Sequence, residues 1–402
     1  MWGNKSSNSG KYSVDFSWAK EQVEIKESVI QFAKNLLIEN LVELDQQEEF
    51  NLEGWKKCGE WGIMGLPIPQ EYGGKELDTL TTIYALEGLG YGCKDNGLLF
   101  SIAAHTWACQ IPLLTFGTPE QKLKYLPKLV KGESIGAHAV TEPEAGSDVY
   151  SLQTTAQRDG NKYILNGSKM FVTNGVIASP LRSNIANLIL VFATLNPERG
   201  KRGITCFLVE KDSPGLIVKR KISKMGLRTA QMAELLLDNC EVPAANLLGK
   251  EGAGMAVFSH SMEWERGFIL ASAIGSMERL LEQCTQYAKN RKQFQQPIGK
   301  FQLISSKLVD MKMRLETARN LLYKFGWLKQ QGKSAFMEAA MAKLYISESW
   351  VQSCLDAIQI HGGYGYLTEL ELERELRDAL GSRLYSGTSE IQYQIIAQFM
   401  GV

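Results

Sequence analysis

The sequence predicts an α+β protein in three consecutive parts: a helical N-terminal domain, a central β-domain and a C-terminal helical bundle. Three observations lead there. Apolar residues recur at three- and four-residue steps at both ends of the chain. The middle breaks into short β-branched or aromatic-rich runs bounded by Gly, Asn and Pro. Strands and helices are segregated rather than alternating, which disfavours a Rossmann domain.

The first part covers residues 14–136. In "WAKEQVEIKESVIQFAKNLLIENL", Val23, Val29/Ile30, Ala33 and Leu36/Leu37 mark a helical stripe. Pro and Gly interrupt at "GLPIPQEYGG" and "FGTPEQ", and Thr118-Pro119-Glu120 predicts a helix start with Pro at its first position. The second part, 137–250, contains "YILNGSKMFVTNG", "NLILVFATL", "GITCFLVEK", "GLIVKR" and "AELLLDNCEV", each read as a strand. The third, 251–402, returns to the helical period. Leu308, Met311, Leu315, Ala318, Leu322 and Phe325 share one stripe that Gly332 ends, and "SAFMEAAMAKLYISESWVQSCLDAIQIHGGYGY" predicts a second long helix.

Bulk properties narrow the function. With 402 residues the chain exceeds one small core. A formal net charge of +0 gives no global attraction for nucleic acid or an anionic membrane. No apolar run looks long enough to span a bilayer, and the N-terminal "MWGNKSSNSGKYS" reads as a frayed polar tail without a signal-peptide core. The seven cysteines are scattered without a CxxC pair, which predicts reduced thiols in a cytoplasmic protein. The four histidines show no metal-ligand spacing, so no metal is expected.

Among local motifs, "GKEGAG" at 249–254 lacks the order of a dinucleotide loop and reads as a plain loop before a helix. "AVTEPEAGSD" at 139–148 offers N–H groups and hydroxyls that suit a planar carbonyl-rich ring or a phosphate, though an ordinary connection is equally compatible. Its companions decide: "NGSKMFVTNG", "RKQFQQPIGKFQ" at 291–302, "QIHGGYGY" at 359–366 and "LYSGTSEIQ" at 384–392. In this order and spacing the five motifs resemble the acyl-CoA dehydrogenase family, over nearly the whole chain.

The resemblance implies a flavoenzyme with bound FAD, built as a helical domain, a β-barrel-like domain and a four-helix bundle. It puts Val140, Thr141 and Ser147 along flavin and thioester, and Phe171, Val172 and Thr173 behind the isoalloxazine. Phe171 replaces the family's usual tryptophan. Arg291, Phe294, Gln302, Gln359, Gly362 and Gly363 resemble residues that hold the FAD diphosphate and adenine across a subunit contact, which implies a homo-oligomer, a tetramer or dimer. "FQ" at 294–295 replaces the more usual "FG". Thr388 and Glu390 stay near FAD, while Ser147, Met262, Glu263, Arg266 and Tyr385 are implied to surround the substrate.

The family's reaction removes an α-proton from an acyl thioester as a β-hydride passes to flavin N5. The carboxylate for the proton often precedes the glycine of the C-terminal loop, but here Ser386 stands there. Isovaleryl-CoA and long-chain members carry it on an earlier helix, where this chain has Glu265 in "SMEWERGFILASA". Helix geometry agrees: Glu265 shares a face with Phe258, Met262, Phe268, Ile269 and Ser272, without a basic residue three or four positions away. Such a carboxylate is partly desolvated and its pKa raised; a surface carboxylate on a tilted helix is the alternative. Glu263, roughly 200° round the helix, lies beside His260 and Arg266 and reads as a local ion-pair partner. The Ser386 backbone N–H is implied to polarise the thioester carbonyl.

A helix-borne base serves branched short acyl-CoA, long-chain acyl-CoA and carrier-protein-tethered acyl or prolyl groups of biosynthetic pathways. The wording of "EWERGFILASAIGSMERLLEQ" leans toward the last, prolyl-carrier-protein oxidases among them, and the crowded Phe258, Met262 and Trp264 suggest a short acyl group. Electrons would pass to an electron-transfer flavoprotein or to O2. The competing readings are a flavin oxidase or monooxygenase of a non-thioester and a silent FAD-binding scaffold.

Overall fold

The computed structural model describes residues 17–37, 40–176 and 186–402, and the polar N-terminal "MWGNKSSNSGKYS" lies outside them. The first part is α1 (Lys20–Leu36), α2 (Leu41–Gln47), α3 (Leu52–Trp61), α4 (Thr79–Gly92), α5 (Asn96–Ala103), α6 (Ile111–Phe116) and α7 (Pro119–Val130). α7 starts where the sequence places it. The Thr118 hydroxyl accepts from Gln121 N at 3.2 Å and the Gln121 side chain accepts from Thr118 N at 3.0 Å, a reciprocal cap.

A π-helical stretch, Ala104–Gln110, fuses α5 and α6 into one run. That run, Asn96–Phe116, is long and apolar enough by composition to cross a bilayer, contrary to the sequence expectation, and 89% of its window is buried inside the fold. It is a core helix. Some of its polar atoms find protein partners: His105 Nε2 meets Leu129 O at 3.0 Å and Gln110 Nε2 donates to Met64 O at 3.0 Å, whereas Ser101 Oγ, Thr106 Oγ1 and Gln110 Oε1 have none among the described residues.

One eight-stranded sheet follows: β1 (Ser134–Ala139), β2 (Thr155–Asp159), β3 (Lys162–Thr173), β4 (Ala186–Thr194), β5 (Ile204–Glu210), β6 (Leu216–Lys221), β7 (Met232–Pro243) and β8 (Leu247–Leu248). The order is β6-β7-β3-β2-β4-β5-β8, with β1 parallel to β4. The five runs read from sequence are β3 to β7. β1, β2 and β8 carried no such signal: "SIGAHA" is made of small residues, "TAQRD" is polar and largely exposed, and β8 has two residues.

β4 and β5 explain their unbroken hydrophobicity. Leu188, Leu190, Phe192, Ile204, Cys206 and Leu208 face the large helical core. The intervening Ile189, Val191, Ala193, Phe207 and Val209 face a separate core between the strands. A period of two thus serves two interiors.

The third part comprises α8 (Gly254–Phe268), α9 (Ala271–Asn290), a two-stranded hairpin of β9 (Lys292–Gln293) and β10 (Gln296–Pro297), α10 (Gln302–Gln330), α11 (Phe336–His361), α12 (Leu372–Gly381) and α13 (Ser389–Met400). The predicted stripe of α10 is buried from Met311 through Phe325, and Gly332, at φ 67°, supplies the left-handed stop. The loop reading of 249–254 also holds, since α8 begins at Gly254. All seven cysteines are buried and unpaired.

The three parts meet at Asp378 on α12. Its carboxylate accepts from Leu227 N at 2.5 Å, between β6 and β7, and from Asn96 Nδ2 on α5 at 3.2 Å. Burial pushes this carboxyl up to about 7. The folded chain therefore holds a proton that the unfolded chain, near 3.9, has released. That contribution is complete below the unfolded value and is lost as pH rises through 7. Asp378→Asn keeps an acceptor for Leu227 N but cannot ionise. Its melting temperature relative to the parent should be higher at pH 8 than at pH 5; a difference independent of pH would contradict the assignment.

Candidate active site

Glu265 lies one turn before the end of α8 and is 8% exposed. Met262, Phe268 and Ile269 beside it are buried, and Trp107 stacks on Phe268 at 3.9 Å between ring centroids. Oε1 accepts a hydrogen bond from the Ser386 hydroxyl, while Oε2 is buried without a partner among the described residues. Burial raises this carboxyl above the ordinary glutamate value, against the opposing effects of the Ser386 hydrogen bond, Arg266 and Lys343. The desolvated face read from the sequence is present.

Glu263 differs from expectation in its partner. It pairs with Lys329 Nζ at 3.0 Å and accepts from Ala335 N at 2.5 Å, tying α8 to the α10–α11 turn. Position on one helix could identify His260 and Arg266 as neighbours, but Lys329 arrives from another helix. His260 instead meets Thr115 Oγ1 at 3.0 Å.

Ser386 lies in the loop between α12 and α13, at φ 56°. A non-glycine residue holds that conformation only where its surroundings impose it. Three side chains do so here. Arg266 Nε donates to Ser386 O at 3.1 Å, Lys343 Nζ from α11 donates to Gly387 O at 2.7 Å, and Gln392 Nε2 from α13 reaches both carbonyls at 3.2 and 2.8 Å. With the carbonyls occupied, the Ser386 and Gly387 N–H groups have no protein acceptor among the described residues. Lys343 is fully buried, and burial brings its ammonium down to about 7. Tyr385 packs against Phe100 at 4.5 Å, and Thr388 caps α13 by accepting from Ile391 N at 3.4 Å; Glu390 is exposed in the first turn of that helix.

A second wall comes from β3 and the "TEPE" loop. Lys169, 0% exposed, pairs with Glu142 at 2.7 Å and donates to Val140 O at 3.1 Å. Glu142 also accepts from Gln153 N at 2.6 Å and Thr154 N at 3.0 Å. Met170 N donates to Thr141 O at 2.8 Å. These contacts hold Val140 and Thr141 against the end of β3. A bulge between Lys169 and Val172 then turns Phe171 outward, at φ 58° and 58% exposed, while Val172 is buried and Thr173 half-buried. Asn174 donates to Ser101 O and Gly136 O at 3.0 and 3.1 Å, joining this wall to α5 and, through Phe100, to Tyr385. Ser147 is exposed on the same loop.

The remaining sequence-predicted residues are elsewhere in the chain. Arg291 lies over the Tyr364 ring at 5.8 Å, beside Gly362 and Gly363, where an added Cβ would meet nothing within 4 Å. Gln302 and Gln359 are exposed, as is Phe294 at 88%. Gln295 takes φ 64°, adopting the left-handed turn that glycine would enter more easily. Along α11, Lys343 and His361 are separated by 18 residues, roughly 27 Å of helix. One chain therefore does not bring the Arg291 group to the Glu265 group.

Residues 19–133, 137–240 and 252–401 match the N-terminal, middle and C-terminal domains of acyl-CoA dehydrogenase. The chain belongs to the acyl-CoA dehydrogenase family. An L-prolyl-[peptidyl-carrier protein] dehydrogenase of Serratia sp. is 43% identical over 97% of this chain and 99% of its own length. The solved prolyl acyl carrier protein oxidase AnaB is 61% identical, with a TM-score of 0.93 over 96% of this chain and 100% of that one. A structure of PigA with FAD and proline is 43% identical, with a TM-score of 0.92 over 96% and 99%. The chain is an FAD-dependent oxidoreductase of acyl thioesters.

The residues present fit FAD. The outward Phe171 bulge and the half-buried Thr173 leave an apolar-walled face with a hydroxyl, and the bare glycines beside Arg291 leave room for close backbone approach to a phosphate. The sequence reading missed the groups that hold these walls: Lys169, Glu142, Asn174, Lys343 and Gln392. Lys169 and Lys343 did leave a signal, as cations at inward positions of apolar elements, which demand partners.

Replacing Lys169 by Met leaves Glu142 buried without its cation. The expected loss of stability is about 3–5 kcal/mol, read from urea unfolding. Lys169→Met combined with Glu142→Gln should cost less than the sum of the single changes.

Proposed function

We propose that this enzyme oxidises a small acyl group, prolyl or of similar size, carried as a thioester on a carrier protein, with Glu265 as the base that takes the α-proton. The observation that carries the reading is Glu265 Oε2, buried within one loop contact of two N–H groups, all three without a partner among the described residues. A thioester enolate needs both: a desolvated carboxylate for the proton and donors for the developing oxyanion. The names of the Serratia and AnaB relatives support the carrier-bound prolyl class, and the closed Trp107–Phe268 stack beyond Glu265 supports a small acyl group over a long chain.

In this mechanism the Ser386 N–H donates to the thioester carbonyl and stabilises charge as the α-carbon loses its proton. Oε2 of Glu265 receives that proton, becoming neutral in a setting that disfavours its charge. Trp107, Phe268 and Met262 keep water from the α-carbon. FAD, when bound, supplies the acceptor for the hydride from the β-carbon. The roughly 27 Å along α11 supports a cofactor shared between two copies of the chain, with Arg291, Phe294, Gln302, Gln359, Gly362 and Gly363 serving the partner's Glu265 site. A silent scaffold has nothing in its favour, because the serine in the C-terminal loop is matched by a carboxylate on α8.

Anaerobic flavin bleaching tests this with prolyl-carrier protein, isovaleryl-CoA and a long-chain acyl-CoA. Fastest bleaching by the carrier-bound prolyl group is expected; preference for either CoA ester would displace it. Glu265→Gln should slow bleaching by about 10²–10⁴-fold. In the parent enzyme the rate should rise with pH through a value above the ordinary glutamate range, because the base works only when deprotonated.

A further inference from the structure

Ser386 occupies the place where many relatives of this fold carry the base, yet its side chain is not idle. The hydroxyl donates to Glu265 Oε1, and the other carboxylate oxygen has no partner among the described residues. The direction of that hydroxyl is set by the backbone. At φ 56° the residue is turned so that its carbonyl faces Arg266 and Gln392 while its Cβ faces α8. Lys343 and Gln392 hold Gly387 O in the same way. Three elements, α8, α11 and α13, therefore converge on two carbonyls and fix one hydroxyl against one carboxylate oxygen.

We propose that the Ser386 hydroxyl is a positioning residue for the base: its hydrogen bond to Oε1 fixes the carboxylate plane and leaves Oε2 as the oxygen presented to the α-carbon. This rests on Glu265 being the base, and gives the serine side chain a function separate from its backbone N–H. The bond also favours the charged carboxylate, so its loss makes the carboxyl hold its proton to higher pH. The groups facing Glu265 are Ser386 from the loop, Arg266 from α8, Lys343 from α11 and Tyr385.

Ser386→Gly and Ser386→Ala test it together. Both remove the hydroxyl; glycine relieves the left-handed backbone and alanine does not. The first readout needs no substrate: titration of the carboxyl stretch that disappears in Glu265→Gln, followed in purified protein. The second is the acid limb of flavin reduction by the best thioester. Both variants should move the titration and the limb upward by about one to two pH units, with KM changed less than about twofold and kcat on the acid limb lowered at least about tenfold. An unmoved titration in either variant, or glycine behaving like the parent while alanine alone loses rate, would overturn the proposal. A moved titration without bleaching by any thioester would support the contact and overturn the dehydrogenase reading alone.

Discussion

A carboxylate held out of water governs the design of this molecule. Glu265 is surrounded by Met262, Phe268 and Ile269, and one of its oxygens has no donor among the described residues. Burying an ionisable group this way is tolerable only if nearby dipoles and charges compensate in part. Arg266, Lys343 and the Ser386 hydroxyl supply that compensation without forming a close ion pair that would quench the base. The elements bearing these groups, α8, α11 and the loop before α13, must then be held to within fractions of an ångström.

Charge is handled differently on the opposite wall. Lys169 and Glu142 form a buried pair with further hydrogen bonds to Val140, Gln153 and Thr154. Burial brings Lys169 down to about 8 despite the opposing pull of Glu142, while Glu142, against its own burial, stays below the ordinary carboxylate range through Lys169 and its backbone donors. Both ends of the pair are hydrogen-bonded to protein groups, and it carries no proton in the proposed chemistry. Comparison of the two walls separates a structural carboxylate from a reactive one: the former has both oxygens hydrogen-bonded, the latter keeps one oxygen free among the described residues.

Periodicity made much of this legible in the sequence. The α10 stripe from Met311 to Phe325, the α7 start at Thr118 and the strands β3 to β7 follow from side-chain spacing and turn chemistry alone. So does much of the apolar face bearing Glu265, because Phe258, Met262 and Phe268 lie within two turns of it on α8, whereas Ser272 falls on α9 beyond the turn at Ile269–Leu270. What was hidden depends on contacts between distant segments. Lys329 reaches Glu263 from α10, and Lys343 reaches Gly387 from α11, across 66 and 44 positions of chain respectively. β1 and β2 were hidden for another reason: their small or polar residues are strands only because β4 and β3 are there to pair with them.

The two-sided burial of β4 and β5 has a consequence for how the polypeptide can be divided. Leu188, Leu190, Phe192, Ile204, Cys206 and Leu208 would face solvent if the sheet were excised from the helices. The sheet portion is therefore no autonomous module, despite its contiguous stretch of chain and its own small interior. Shuffling it between relatives would require carrying over the complementary surface of α5, α8 and the π-helical segment as one inherited block.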